Sequence, residues 1–171
     1  METRMIDVGA KAVTAREAVA RGSLRLLPAT AALVRDAQVP KGNALETARV
    51  AAIMAAKNTP SLIPLCHPLL LSGIDCDFTC DTAAGRITAT VTVRCNGQTG
   101  VEMEALTSVT AALLTLYDMT KGIDETLVIE QVLLVEKRGG EEWGLGAKLN
   151  YSPNGLAAGP RRSRFQSCPD N

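Results

Sequence analysis

Residues 98–122, QTGVEMEALTSVTAALLTLYDMTKG, leave the chain little choice of local structure. Leu106, Val109, Leu113 and Leu116 recur at three- and four-residue steps with alanines between them, which predicts a helix of roughly six turns. Both of its ends carry groups capable of chemistry. Glu102 and Glu104 crowd the first turns, while Asp118 and Lys121 share a face near the end. The helix dipole favours carboxylates near an N-terminus by about 0.3–1 kcal/mol each, which is reason enough for one glutamate. At a rise of about 1.5 Å per residue, Glu104 and Asp118 stand about 21 Å apart along the axis. That is too far to serve one small substrate from a single copy, so either one end matters or two copies meet.

Composition removes several function classes. A chain of 171 residues, 46% hydrophobic and 21% charged, suits one folded domain with a sizeable core. Basic and acidic residues number 18 each and aromatics make up 3%, so neither the charge footprint nor the stacking platforms of a nucleic-acid binder stand out. The opening METRMIDVGAK lacks a long apolar run and no window reaches the length of a membrane span, so the expected location is the cytoplasm.

Earlier in the chain, Thr14 and Glu17 have capping-box spacing and predict a short helix, TAREAVAR, closed by Gly22. Arg16 would lie in its first turn, where a cation opposes the dipole and hints at an anionic partner. Residues 23–27 read as a brief strand. Pro28 opens the next helix, PATAALVRDAQ, and Pro40 stops it. Asn43 and Glu46 then read as the cap of an alanine-rich helix reaching Asn58. Lys41 and Gly42 just before it form a loop that could offer an ammonium and N–H groups to phosphate, without the pattern of a P-loop.

Residues 59–73, TPSLIPLCHPLLLSG, read as an apolar loop stiffened by three prolines. Pro64 and Pro68 bracket Leu65, Cys66 and His67, the chain's one histidine, so the imidazole has a reproducible direction. A packed loop histidine and a proton-transfer residue are both consistent with this placement. Residues 74–80 and 86–95 alternate as strands around a DTAAG turn, and 126–136 supply a further β-branched strand. Cys76 and Cys80 fall on the inward phase of the first of these, as structural thiols rather than metal ligands. The element order from 23 to 136 predicts a ferredoxin-like (split βαβ) α+β fold, an antiparallel sheet with helices packed on one face. The uncovered face suggests a homo-oligomer. From residue 150 the chain is rich in Pro, Gly, Ser and Arg without a period, so a single domain over 1–149 and a flexible tail over 150–171 are expected.

Four blocks in the same order, KGNALETAR (41–49), LIPLCHPL (62–69), TGVEMEALTS (99–108) and LYDMTK (116–121), closely resemble the cyclic pyranopterin monophosphate synthase family of molybdenum-cofactor biosynthesis. The resemblance runs from about residue 5 to 140. It implies conversion of a cyclised dihydro-GTP to a pyranopterin bearing a cyclic phosphate, with release of pyrophosphate and with neither cofactor nor metal. It places Asp118 in the active-site role with Lys121, Lys41 and His67. Substrate contacts fall on Leu65, Cys66 and His67 and on Met103 and Glu104; apart from the resemblance, Glu102 and Arg16 are further candidate contacts. It also implies a homohexamer, a trimer of dimers with sites where chains meet. The chain departs from the family pattern at Asn43, where aspartate is expected, and at Thr120, where cysteine is expected.

Such a rearrangement needs repeated proton transfers, for which a histidine, a carboxylate and a lysine lowered by a neighbouring cation are suitable groups. Loss of pyrophosphate needs cations against the developing charge, the role open to Lys41 and Lys121. Two other classes fit parts of the sequence: an oligomer that binds a purine nucleotide without turnover, and a cysteine/histidine metal protein.

Overall fold

The structure is a computed structural model that describes residues 2–140 together with 147–148. The segment TAREAVAR is not a helix but part of a long central strand, β1 (Thr14–Arg25). It pairs antiparallel on one side with β3 (Arg86–Gly97) and on the other with β4 (Val128–Arg138). Alanine, arginine and glutamate favour a helix locally, but two ladders and a period-two burial of Ala18, Ala20 and Leu24 outweigh that preference. The strand therefore begins well before residue 23.

Gly22 has a role other than a helix stop. A Cβ there would lie 2.8 Å from Leu113 Cδ1 and 2.9 Å from Val109 Cγ1, so its absence lets the long helix α4 (Glu102–Thr120) settle on the central strand. Opposite Gly22 the register between β1 and β4 shifts, and Gln131 takes a left-handed φ of 51° at that irregularity.

The remaining elements follow the expected order. Helix α1 (Pro28–Arg35) starts on its proline, and α2 (Ala44–Lys57) starts on Asn43, whose side chain accepts from the Glu46 N–H. One further turn, α3 (Thr59–Leu62), occupies the start of the segment read as loop. Strand β2 (Leu71–Asp81) takes up its end, three residues earlier than expected. With β5 (Ala147–Lys148) on the outside of β4, the sheet runs β2-β3-β1-β4-β5, entirely antiparallel. This is the split βαβ arrangement predicted from the element order.

Helices α2 and α4 lie side by side on the inner face, where Ala48 and Ala52 of one and Ala105 and Ala112 of the other are fully buried. Small residues let the backbones approach closely enough for the Ser108 hydroxyl to donate to the Ala52 carbonyl at 2.9 Å. Cys76 is buried in the same core, as its strand phase required, with Cys95 beside it, while Cys80 is only partly buried and packs against that core. On the outer face a chain of ion pairs, Asp75–Arg94–Glu17–Arg138–Glu136, crosses all four long strands. The expected tail over 150–171 and the end of the expected domain lie outside the described residues.

Candidate active site

At the C-terminal end of α4 three charged side chains converge. Gly42, with φ at 107°, turns the chain into α2 and leaves Lys41 beside the last turn of α4. The Lys41 ammonium donates to Asp118 Oδ2 at 2.9 Å and to the Asp118 main-chain oxygen at 2.9 Å. Lys121, one turn on, stands 2.8 Å from Asp118 Oδ1. Hydrogen bonds from Lys121 and then Lys41, with their charges, hold the Asp118 carboxyl down at about 2. In return, the hydrogen bond and charge of Asp118 raise Lys121. The lysine lowered by a neighbouring cation is thus not what Lys121 is, because a carboxylate sits between the two ammoniums. All three side chains are about half exposed and face outward.

The first turns of α4 meet the stiff loop at a cavity of about 460 Å³. Leu65, Cys66 and His67 line it from the loop, and Glu102, Met103 and Glu104 from the helix. Glu104 is buried, only 3% exposed, and burial raises its carboxyl against the opposing hydrogen bond of its own main chain, with the Glu102 charge raising it further. A carboxyl so placed can hold its proton nearer neutrality than an exposed one. Burial, then the Glu104 charge, also raises the Cys66 thiol, which disfavours the thiolate and suits Cys66 to contact rather than attack.

A second cavity of about 220 Å³ adjoins the first and shares Lys11, Thr99, Gly100 and Glu102 with it. Arg16 reaches this one from β1, donating from Nε to the Gly97 carbonyl at 3.2 Å and from Nη2 to the Gln98 carbonyl at 3.3 Å. The helix-dipole hint at Arg16 disappears with the helix, yet the residue does stand in a cationic pocket. Lys11 and Lys137 line the same pocket, and Lys137 also pairs with Glu102. Sequence reading singled out neither lysine. Their signal was the twin glycines after the last strand: Gly139 and Gly140 both have φ of 90°, and a Cβ on them would strike Ala15 O and Arg16 Nη1.

The expected residues therefore form two groups in one chain. Lys41, Asp118 and Lys121 gather at one end of α4. Leu65, Cys66, His67, Met103, Glu104, Glu102 and, beside them, Arg16 gather at the other, about 21 Å away along the helix by its residue count. The two departures from the family pattern are locally harmless: Asn43 caps α2 through its side-chain oxygen, and buried Thr120 donates to the Leu116 carbonyl at 2.7 Å.

The model of the MoaC family matches residues 5–140. A protein of Chloroflexus aurantiacus named cyclic pyranopterin monophosphate synthase is 59% identical over 137 residues, covering 80% of this chain and 84% of that protein. Proteins of the same name from Pelotomaculum thermopropionicum and Novosphingobium aromaticivorans are each 54% identical, covering 82% and 81% of this chain and 82% and 87% of their own lengths. With a family match across most of its length and both ends of α4 built from the matching blocks, the chain belongs to the MoaC family.

Proposed function

We propose that this chain is a cyclic pyranopterin monophosphate synthase, a lyase of molybdenum-cofactor biosynthesis acting on 3',8-cyclo-7,8-dihydroguanosine triphosphate with release of pyrophosphate. The observation that carries the reading is the division of labour along α4. One end offers a cavity for a heterocycle with a buried carboxyl and an imidazole, and the other a carboxylate clasped by two ammoniums.

Lys41 and Lys121 act as ammonium groups that donate protons and offset charge as pyrophosphate departs. Asp118 keeps Lys121 protonated and both side chains aimed. His67 and Glu104 handle protons on the ring system as it opens and recloses. Leu65, Cys66 and Met103 give the cavity its apolar walls, and Lys11, Arg16 and Lys137 form a cationic pocket suited to phosphate. In the phosphate step a sugar hydroxyl attacks the α-phosphorus, the bond to the bridging oxygen breaks, and the hydroxyl proton passes to a base.

The enzyme works in the cytoplasm as a homohexamer, a trimer of dimers in which one copy's Lys41, Asp118 and Lys121 close over another's cavity. Exposed Leu114, one turn before Asp118 on α4, and exposed Tyr117 next to it in the chain support such a contact. The test is to supply the cyclised dihydro-GTP and follow pyrophosphate release and pterin fluorescence after oxidation. Tight binding without product at stoichiometric enzyme would refute the reading.

A further inference from the structure

Among the described residues one buried side-chain oxygen lacks a hydrogen-bond partner, Thr14 Oγ1. Thr59, Thr110, Thr115 and Thr120 each donate to a main-chain carbonyl four residues earlier, the usual solution on a helix. Thr14 opens a strand, where that carbonyl is out of reach, and it pairs with Gly97. Buried polar groups are ordinarily satisfied, so an exception calls for a cause.

Its surroundings supply one. Thr14 lines the 220 Å³ cavity together with Lys11, Arg16 and Lys137. The Gly97 and Gln98 carbonyls fix two of the Arg16 donors, and among the described residues no carboxylate comes within ion-pair distance of its guanidinium. The cavity, which the Glu102 carboxylate also lines while pairing with Lys137, thus combines a positioned cation that has no ion-pair partner among the described residues with an unclaimed hydroxyl.

Resting on the reading of this cavity as a phosphate pocket, we propose that Thr14 is a ligand-binding residue whose hydroxyl donates to a phosphoryl oxygen held by Lys11, Arg16 and Lys137. Lysines on flexible stems set charge but not position. A hydroxyl on the first residue of a central strand sets position. Ligand binding satisfies the group that the fold alone leaves unpaired.

Thr14→Val keeps the shape and removes the hydroxyl, while Thr14→Ser keeps the hydroxyl. With inorganic pyrophosphate as the calorimetric probe on the full chain, T14V should bind about tenfold more weakly and T14S within about twofold of wild type. Without pyrophosphate T14V should melt at or above the wild-type temperature, since an unsatisfied group has been removed. Should T14V fail to fold, Thr14→Ala is read by the same binding criterion. Unchanged pyrophosphate binding in T14V, alongside weakened binding in Arg16→Ala, overturns the role of Thr14 and leaves the pocket standing. Unchanged binding in both variants overturns the phosphate pocket itself. A T14V protein that is destabilised yet binds normally marks a purely structural hydroxyl and also overturns the proposal.

Discussion

Lys41 and Asp118 are 77 positions apart in sequence, yet one ammonium bridges both the Asp118 carboxylate and the main-chain oxygen of the same residue at 2.9 Å. The lysine thereby satisfies a carbonyl in the last turn of α4, where the helix dipole favours a cation. Lys121 holds the other carboxylate oxygen.

Replacing Asp118 by Asn should leave the fold intact, since the side chain is about half exposed, and lower kcat at least about 100-fold. Circular dichroism with steady-state turnover checks both halves, and unchanged turnover would rule the role out.

The pH dependence of the cluster has a definite sign. Asp118 falls from 3.8 to about 2, so its stabilisation is complete above the ordinary value and is lost as pH drops through about 2. Lys121 is raised above 10.5, so its stabilisation is complete below that value and disappears as pH climbs through the raised one. Neither limit falls near neutrality. Any acid limb of kcat/KM between about pH 5 and 8 must then belong to another group and should persist in D118N. In that variant the carboxylate that raises Lys121 is gone, so its alkaline limb should move to lower pH.

Glu104 titrates in the opposite sense. A carboxyl raised by burial favours the folded state fully below its ordinary value of 4.5, and that advantage is lost as pH rises through the folded value. Glu104→Gln should melt higher than wild type at pH 8, with the gap closing near pH 4, while its kcat/KM falls. Melting curves across pH check this. A gap that does not vary with pH would show that the carboxyl is not the cause.

Asp124 anchors the loop after α4. Only 3% exposed, it accepts from the Leu27 N–H at 2.7 Å, the Thr126 N–H at 2.8 Å and the Thr126 hydroxyl at 2.7 Å. Burial raises its carboxyl, but the hydrogen bonds together win and the net shift is downward. Asp124→Ala should cost about 2–4 kcal/mol in denaturant unfolding, because charged hydrogen bonds are lost and main-chain donors are left unpaired. The cost should shrink as pH falls through the lowered value.

Shared sites predict complementation. Asp118→Asn and His67→Ala chains, each strongly impaired alone, should regain roughly a quarter of wild-type activity when refolded together one to one, since some sites then combine both intact ends. No recovery would place the whole reaction within one copy.

The α4 periodicity, the Asn43 cap, the Pro28 start and the alternating strands were legible because each depends on residues a few positions apart. The first strand was not. TAREAVAR satisfies a local capping rule, and only pairing with β3 and β4, together with the tight fit of Gly22 under α4, turns it into sheet. Lys11 and Lys137 were hidden for a related reason: apart from the twin glycines that follow Lys137, nothing local distinguishes them from idle surface lysines.

By itself the sequence determined the elements from α1 to β4 apart from the short α3, their order, and the two chemically loaded ends of one long helix. Tertiary structure alone decided that Lys41 clasps Asp118, that Arg16 joins a cationic pocket, and that Lys121 is raised rather than lowered. Periodicity and capping are set within a few residues of backbone, whereas proton affinity depends on whichever charges the fold brings within a few ångströms.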